Sequence, residues 1–415
     1  MITIAHRGGI LSGKVFLPSS KSISNRLLIL QFLSGDSIRL QNHSISDDTV
    51  LLSSLLQLIR QHTIKKEKGL LRVDVKNAGT VMRFLTALLA MTHGHYLLTG
   101  SVRMQSRPIG PLVEALRELG ADIEYLGKPG YPPLLVKGRL LSGRLLTIDP
   151  SLSSQFVTAL LLIAPFLEEG MSLEFAERTA SWPYVKMTVE ILKILGVHVF
   201  EQEDTLRVFP KSEISGEVTV EPDWSAASFW YCMLSMAKGG EIAFPGLAKS
   251  GLQGDQQVDA FFSALGIETI SRGGGIKIRK SDVVADDYMV DFRDYPDLAL
   301  PVIMACAGHG LHGRFSGMDN LRFKESDRLY ALERELGKAG PIFRETTPGT
   351  WELFGRINDP GNFEMDHEGD HRVAMTLASL ALKGFTVDID DHLVVNKSYP
   401  GFWRDCESMG FSFLS

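Results

Sequence analysis

The chain has 415 residues, of which 44% are hydrophobic, and its 43 lysines and arginines stand against 49 aspartates and glutamates. The formal net charge of −6 argues against a protein that coats a nucleic-acid backbone, because such proteins are normally basic. The length favours two domains with ample core, and no apolar run approaches the roughly 20 residues of a membrane span. The N-terminus lacks the apolar core of a signal peptide, so we expect a cytoplasmic protein.

One pattern, a polar turn followed by an apolar helical run and a closing glycine, recurs six times along the chain. The runs begin near Lys21, Asn77, Ser153, Asp223, Asp297 and Asp370. The closing glycines are Gly35, Gly94, Gly170, Gly239, Gly308 and Gly384. Glycine just past an apolar run is typical of a helix C-cap. Because a long-period repeat decides the architecture, we predict six similar units.

Short apolar segments between the helical runs, such as residues 14–17 and 217–220, predict β-strands. Each unit is then about two helices and several strands, which indicates an α/β (α+β) fold. We expect two similar lobes of three units each, one comprising residues 1–18 plus 222–415 and the other, inserted, comprising residues 19–221. Two crossings would hinge the lobes, with the active site in the cleft between them.

Two familiar classes of site are not expected. Residues 8–15 resemble a phosphate-binding P-loop, but Val15 replaces the hydroxyl that would hold magnesium and the required helix does not follow, so we predict a turn into a strand. Cys232, Cys306 and Cys406 are far apart and mostly among apolar neighbours, which indicates reduced thiols in the core. No Cys/His spacing suits a metal ion.

Cationic side chains cluster where helices are predicted to begin, as in residues 21–26 and 324–328. A helix start already carries partial positive charge, so these cations are unfavourable unless an anion neutralises them. Lys324 and Arg328 stand four residues apart, on one face of a predicted helix, and repel each other. Glu325 beside them could instead form a local salt bridge. The pattern predicts a site for a small, multiply charged anion.

Other polar turns offer groups that suit such a ligand. Gly79 lies at a predicted helix start with a guanidinium four residues later, which fits a carboxylate or a phosphate. Arg107 precedes a proline, so its backbone is extended and its side chain can reach out of the fold, although a surface arginine is the simpler interpretation. Ser153, Asp297 and Asp370 precede apolar helices and could equally be ordinary N-caps.

Together these segments resemble the 5-enolpyruvylshikimate-3-phosphate synthases, a family of enolpyruvyl transferases. The resemblance covers essentially the whole chain, and its motifs occur in the same order at residues 20–26, 77–83, 107–110, 153–156, 253–255, 296–297, 324–328, 370–372 and 397–400. It implies two lobes, each of three βαβαββ units, that close over phosphoenolpyruvate and shikimate 3-phosphate. It also implies a reaction that needs neither a metal nor an organic cofactor.

The resemblance also implies which residues hold the two substrates. Phosphoenolpyruvate would contact Lys21, Gly79, Arg107, Gln155, Arg328, Arg372 and Lys397. Shikimate 3-phosphate would contact Lys21, Ser22, Arg26, Ser153, Ser154, Gln155, Ser181, Asp297, Asn320 and Lys324, with Tyr184 and Arg83 near these groups. The implied catalytic residues are Asp297, Glu325 and Lys21, with Asp297 as the base toward the attacking hydroxyl and Glu325 as the proton donor to the methylene carbon.

Three positions depart from the family's commonest pattern. Ser19 and Lys76 stand where glycine is frequent, and Phe84 stands where some members have proline. None of the three removes an implied ligand. They bear instead on the geometry of the turns beside both anions.

Two other functions fit parts of the pattern. The related UDP-N-acetylglucosamine enolpyruvyl transferases share the architecture and the donor, but their usual Lys-Asn pair is Lys21-Ser22 here, and no cysteine lies near Arg107. A non-catalytic protein that binds phosphorylated metabolites would keep the same cleft. With no coiled coil or basic tail in the sequence, we expect a monomer with small-molecule substrates and neither a nucleic-acid nor a membrane partner.

Overall fold

The computed structural model describes residues 1–65, 69–149, 153–211 and 213–414. The chain separates into two compact units. The terminal unit contains both chain ends and comprises Met1–Ser20, Ile45–Asp47 and Glu221–Ser415. The inserted unit comprises Lys21–Ser44 and Asp48–Val220.

Helices are spread over the whole chain, with short 3₁₀ segments beside several of them. The α-helices are α1 (Lys21–Leu33), α2 (Asp47–Ile64), α3 (Gly79–Met91), α4 (Val102–Gln105), α5 (Gly110–Glu118), α6 (Ser154–Ile163), α7 (Trp182–Ile194), α8 (Trp224–Met236), α9 (Val258–Ser263), α10 (Ala299–His309), α11 (Arg328–Ala339), α12 (His371–Leu377) and α13 (Phe402–Ser408). The 3₁₀ helices are Ala164–Phe166, Gly254–Gln257, Pro296–Leu298, Asp319–Phe323, Ala378–Lys383 and His392–Lys397.

Most strands are short, with four or five residues each. They are β1 (Ile2–His6), β2 (Ile10–Lys14), β3 (Ile38–Gln41), β4 (Leu70–Asp74), β5 (Gly94–Thr99), β6 (Asp122–Tyr125), β7 (Leu134–Gly138), β8 (Leu145–Ile148), β9 (Met171–Phe175), β10 (Val199–Glu201), β11 (Thr205–Val208), β12 (Gly216–Thr219), β13 (Gly239–Pro245), β14 (Leu265–Arg272), β15 (Gly275–Val284), β16 (Asp287–Asp291), β17 (His312–Ser316), β18 (Ile342–Thr347), β19 (Thr350–Phe354), β20 (Asn362–Met365), β21 (Thr386–Ile389) and β22 (Phe411–Leu414).

The four-stranded sheets share one topology. In β4-β5-β7-β6 the first pair is parallel and the other two pairs are antiparallel, and β8-β9-β11-β10 and β16-β17-β19-β18 repeat this arrangement. A parallel pair needs a crossover helix whereas a hairpin does not, so the chain order strand, helix, strand, helix, hairpin follows. The sheet β20-β21-β1-β22 completes the same pattern with the first strand of the chain.

The strands that lie before and after the two crossings along the chain pair with each other within each unit. Strand β2 lies parallel to β13 and completes the sheet β14-β15-β13-β2, whereas β3 lies parallel to β12 in a two-stranded sheet. Ser19 and Pro222 form an isolated bridge where the chain enters and leaves the inserted unit. The predicted α/β fold built from repeated units is confirmed.

Each predicted apolar run forms a buried helix. The six are α1, α3, α6, α8, α10 and α12, the last continued by the 3₁₀ helix Ala378–Lys383. They are apolar almost all round because they are covered on every side, as expected for the central helices of a core. In the inserted unit α1, α3 and α6 pack together, and in the terminal unit α8, α10 and α12 do so.

Two local predictions were wrong. The strand expected at residues 14–17 is displaced, because β2 covers Ile10–Lys14 and so forms most of the segment that resembles a P-loop. Lys324 and Arg328 do not share a helical face. The Asp327 side chain accepts a hydrogen bond from the Tyr330 backbone N–H and caps α11 at Arg328, so Lys324 lies outside this helix, just past a 3₁₀ turn.

The cysteines behave as the sequence predicts. Cys232, Cys306 and Cys406 are buried free thiols. Burial raises the pKa of the Cys232 thiol to about 12, which makes it a packing residue with no nucleophilic character. Among the described residues, no helix combines the length and the apolar character that crossing a membrane requires.

Candidate active site

In the inserted unit, α1, α3, α6 and α7 begin without any acidic residue in the first turn. Proteins often place aspartate or glutamate there to balance the positive end of the helix. Here the first residue of α1 is Lys21, and α3 begins at Gly79 with no side-chain cap. Helix starts of this kind suit a negatively charged ligand.

Arg107 packs directly against Gly79. A Cβ atom built on Gly79 would lie 2.5 Å from Nη2 and 2.8 Å from Nη1 of Arg107, so a side chain at position 79 would collide with the guanidinium. Arg107 is only 4% exposed, and the expectation that it reaches out of the fold was wrong. The turn after α4 folds back because Arg83 of α3 donates from Nη2 to the Pro108 carbonyl at 2.8 Å. A cation and the start of α3 thus meet at one place.

Lys21 has an acidic neighbour that the sequence did not single out. Its Nζ lies 3.4 Å from Oδ2 of Asp48, and both side chains are almost buried. Asp48 stands in the first turn of α2, where a carboxylate commonly balances the positive end of a helix. The pair fixes the ammonium group near the start of α1.

Arg26 is buried at 4% exposure and forms no ion pair with a carboxylate among the described residues. Its guanidinium donates instead to neutral oxygens on α1, α6 and α7. Burial lowers the pKa of Arg26 to about 10, although the neighbouring Tyr184 opposes this shift. The group remains a cation at neutral pH, and no acid of the described residues forms an ion pair with it.

The start of α6 carries the predicted hydroxyl groups. Ser153 is the N-cap, and its Oγ accepts a hydrogen bond from the Gln155 backbone N–H at 3.3 Å. The ordinary capping role therefore applies to Ser153, while Ser154 is buried and Gln155 half-buried. The same short segment can still present its remaining polar groups to a ligand.

Two residues near these helix starts adopt left-handed backbone conformations. Ser181, at the N-cap of α7, has φ of 62° and makes no side-chain cap bond. Lys76 has φ of 52°, in the turn where the family frequently has glycine. Strain of this kind in residues other than glycine is concentrated at functional sites. Lys76 thus adopts a backbone conformation that is strained for a residue with a side chain.

In the terminal unit, Arg328 is the centre of a network of carboxylates. The guanidinium is 2% exposed and donates from Nε to Asp370 Oδ2 at 2.8 Å, from Nη2 to Glu325 Oε2 at 2.9 Å and from Nη1 to Asp297 Oδ1 at 3.3 Å. Burial on its own would lower the pKa of Arg328, but the charges of these three carboxylates outweigh burial and raise it. This cation, unlike Arg26, is balanced by the chain.

Arg372 holds the same aspartate from a second direction. Its Nη2 donates to Asp297 Oδ2 at 2.8 Å, and its Nη1 donates to the Asp297 backbone carbonyl at 3.2 Å. Asp370 caps α12 by accepting from the Arg372 backbone N–H at 2.9 Å. Asp297 lies in the 3₁₀ turn that leads into α10, so the starts of α10 and α12 are tied together.

Glu325 links this network to Lys397. The carboxylate lies 4.0 Å from Nζ of Lys397, and both side chains are largely buried. Five predicted site residues, Asp297, Glu325, Arg328, Arg372 and Lys397, are therefore in one connected cluster. Asn320 lies in the preceding 3₁₀ turn, where its side-chain carbonyl oxygen is buried with no hydrogen-bond donor among the described residues. Lys324 follows this turn and is half-buried.

Asp255 is a buried acid to which sequence reasoning gave no role, although it ends one of the segments that carry the resemblance. Its carboxylate accepts a hydrogen bond from the Ser225 hydroxyl. Burial and the charge of Asp297 raise the pKa of Asp255 to about 6, against the opposing effect of Arg372. Only the three-dimensional packing reveals this carboxyl beside the cluster, because neighbouring residues in the sequence do not indicate it.

Comparison with known proteins matches almost the full length of the chain to one protein family. The profile of the EPSP synthase (3-phosphoshikimate 1-carboxyvinyltransferase) family matches residues 6–406. A 3-phosphoshikimate 1-carboxyvinyltransferase of Bacteroides fragilis is 38% identical over 97% of this chain and 96% of its own length. One of Aliivibrio fischeri is 34% identical over 95% of this chain and 96% of its own.

Solved structures share the fold. An EPSP synthase from Acinetobacter baumannii superposes with a TM-score of 0.75 at 19% identity, covering 100% of this chain and 99% of that one. The enolpyruvyl transferase NikO from Streptomyces tendae gives a TM-score of 0.73 at 15% identity, covering 100% of this chain and 98% of that one. The enolpyruvyl transferase-like fold expected from the sequence is confirmed.

The raised pKa of Asp255 makes a prediction about stability. The folded state holds this proton up to about pH 6, whereas an unfolded aspartate loses it near 3.8, so the wild type loses stability as pH rises between these values. Asp255→Asn removes the titration. The free energy of unfolding of Asp255→Asn minus that of the wild type should therefore increase between pH 4 and pH 7, by on the order of 1–3 kcal/mol.

Denaturant unfolding at several pH values measures this difference. The exposed Asp286→Asn variant is the matched control for the loss of one carboxyl group. A flat difference for Asp255→Asn would show that Asp255 is not held protonated by burial.

Proposed function

The chain belongs to the EPSP synthase (3-phosphoshikimate 1-carboxyvinyltransferase) family, and we propose that it transfers the enolpyruvyl group of phosphoenolpyruvate to the 5-hydroxyl of shikimate 3-phosphate, releasing phosphate. The observation that carries this proposal is the buried Arg26 of α1, which makes no ion pair with a carboxylate of the described residues, together with Arg107 packed against the start of α3. Two phosphorylated, carboxylated substrates supply the charge that these groups require.

The proposed reaction is an addition followed by an elimination. The 5-hydroxyl oxygen bonds to C2 of phosphoenolpyruvate and loses its proton, while C3 gains a proton and the double bond becomes a single bond. Loss of a proton from C3 then restores the double bond as the C2–O bond to phosphate breaks. Cations around the substrates stabilise the negative charge of the tetrahedral intermediate.

Asp297 and Glu325 are the proposed proton carriers. A carboxylate has about four lone-pair sites for hydrogen bonds. The hydrogen bonds from Arg328 and Arg372 therefore leave lone pairs on Asp297 for the 5-hydroxyl group of shikimate 3-phosphate. Glu325, between Arg328 and Lys397, is proposed to give the proton to C3. Lys21 and Arg107 of the inserted unit are proposed to bind phosphoenolpyruvate, and Ser22, Arg26 and the start of α6 to bind shikimate 3-phosphate.

A substrate panel tests the activity. Phosphate release should require both phosphoenolpyruvate and shikimate 3-phosphate, and replacing the latter with UDP-N-acetylglucosamine should give none. Asp297→Asn and Glu325→Gln should each lower kcat by about 10²–10⁴-fold, because positioned acid–base groups contribute that much. Asp286→Asn serves as the exposed control.

Two outcomes would contradict the proposed activity, and a third would contradict only the proposed acid–base roles. Release with the UDP-sugar would indicate the related transferase, and tight binding of shikimate 3-phosphate without turnover would indicate a binding protein. Unchanged kcat in both carboxylate variants, with wild-type turnover intact, would remove only the proposed acid–base roles.

The close packing of Arg107 on Gly79 makes a second prediction. Gly79→Ala forces the guanidinium to move, because the new Cβ would lie within 3.0 Å of its nitrogens. We expect kcat/KM for phosphoenolpyruvate to fall at least about tenfold, with the dissociation constant of shikimate 3-phosphate little changed. Gly69→Ala is the control, since a Cβ there meets no atom within 4 Å. Equal steady-state constants for Gly79→Ala and wild type would contradict the assignment.

Residues proposed for phosphoenolpyruvate occur in both units, so we propose that both contribute to one site. Binding of both ligands should then reduce the radius of gyration, as domains that close around ligands do. Small-angle scattering with and without saturating ligands measures this change, and superimposable profiles would contradict it. The same data report the mass in solution, where a monomer stays a prediction, as does a cytoplasmic location.

A further inference from the structure

Thr158 of α6 and Thr188 of α7 are completely buried threonines that contact each other and Arg26. We propose that they form a positioning pair, which holds the Arg26 guanidinium in the orientation that binds shikimate 3-phosphate. The inference deepens the proposed function and rests on it. Neither threonine belongs to a motif that the sequence singled out, since each lies inside an apolar helix.

Four hydrogen bonds surround most of the edge of the Arg26 guanidinium. Arg26 Nε donates to Thr188 Oγ1 at 2.8 Å, and Nη2 donates to Thr158 Oγ1 at 3.4 Å and to the Tyr184 backbone carbonyl at 2.9 Å. On the remaining side Nη1 donates to the Ser22 backbone carbonyl at 2.8 Å. The ring of Phe84 lies 5.7 Å from Cζ and covers one face.

The two hydroxyl groups have a consistent set of proton positions. Thr188 Oγ1 donates to the Tyr184 carbonyl at 3.1 Å, so in its 3.2 Å contact with Thr158 it must accept. Thr158 therefore donates to Thr188 and accepts from Arg26. Thr188 accepts from Thr158 and from Arg26 Nε, which uses both of its lone pairs. Each hydroxyl thus has a defined role, and the threonines act as one unit.

These hydrogen bonds leave one N–H group of the Arg26 guanidinium without an acceptor among the described residues. An arginine has five N–H groups, and four of those of Arg26 are directed to acceptors of the chain. For the fifth, on Nη1, the described residues provide no acceptor. The buried charge also has no carboxylate partner within them. One donor and one unbalanced charge are therefore available for an oxygen of an anionic ligand.

Threonine suits this position better than other residues of its size. A β-branched side chain in a helix has restricted χ1, so its hydroxyl is fixed without further contacts. Valine has nearly the same shape but no hydroxyl, and it would leave the Nε–H or one Nη2–H of a buried arginine unsatisfied. The guanidinium would then rotate toward other acceptors, and its Nη1 donor would point elsewhere.

The test compares Thr158→Val and Thr188→Val with wild type. Each should raise the dissociation constant and KM of shikimate 3-phosphate by about tenfold, which corresponds to the loss of one charge-assisted hydrogen bond, while KM for phosphoenolpyruvate stays within about twofold. Thr188→Ser keeps the hydroxyl and should recover most of the affinity. Thr86→Val is the control, because Thr86 is equally buried but bonds only to the Met82 carbonyl of its own helix.

A double-mutant cycle with Arg26→Lys separates positioning from general destabilisation. Lysine cannot donate to both threonines in the same fixed plane, so Thr188→Val should have little further effect on shikimate 3-phosphate binding in that background. Additive losses in the cycle, or equal losses for both substrates, would overturn the proposal. If Thr188→Val does not fold, the Thr158 variant and Thr188→Ser carry the same comparison.

Failure of this inference is distinguishable from failure of the proposed function. Wild-type protein that does not turn over shikimate 3-phosphate would contradict the function itself. Wild-type turnover together with unchanged shikimate 3-phosphate constants in both valine variants would contradict only the positioning role of the threonines.

Discussion

Buried positive charge is the constraint on which the rest of this structure depends. A guanidinium removed from water is costly unless acceptors and an opposite charge surround it. The terminal unit meets this requirement internally, since Arg328 is surrounded by Asp370, Glu325 and Asp297. The inserted unit meets it only in part, because Arg26 has oxygen acceptors without a carboxylate among the described residues.

The two units share the same repeated topology, but we propose that they contribute different groups to the reaction. The carboxylates of Asp297 and Glu325, held by guanidinium groups of the terminal unit, are proposed to move protons. Cations of both units, such as Arg26 and Arg372, are proposed to hold the anionic substrates. The proposed chemistry needs both, because it combines two anionic substrates with two proton transfers.

The repeat and the fold class could be predicted because the apolar runs leave direct marks in the sequence, and each predicted run is a buried helix. The closing glycines were placed less well: Gly384 is a helix C-cap, but Gly94 and Gly239 begin strands and Gly308 lies inside α10. The start of α11 could not be placed, because two cations and two acids within residues 324–328 permit several helix starts. Only the Asp327 cap shows which one forms. Arg107 was expected to point outward, since a local pattern does not show that Gly79 leaves space for it.

Residues that act through other residues were the least visible in the sequence. Asp48, Asp255, Thr158 and Thr188 each lie in a context that a helix start or a core explains equally well. Their importance comes from partners between 27 and 162 positions away, which only the folded chain brings into contact. The substrate-contacting candidates, by contrast, follow from the resemblance of short motifs.

A crystal structure of the protein with shikimate 3-phosphate bound tests the central claim most directly. The account predicts a ligand oxygen within hydrogen-bond distance of Arg26 Nη1, with Thr158 and Thr188 keeping their contacts to the guanidinium. A complex in which the ligand is bound elsewhere, and Arg26 Nη1 faces only water or another group of the chain, would contradict it.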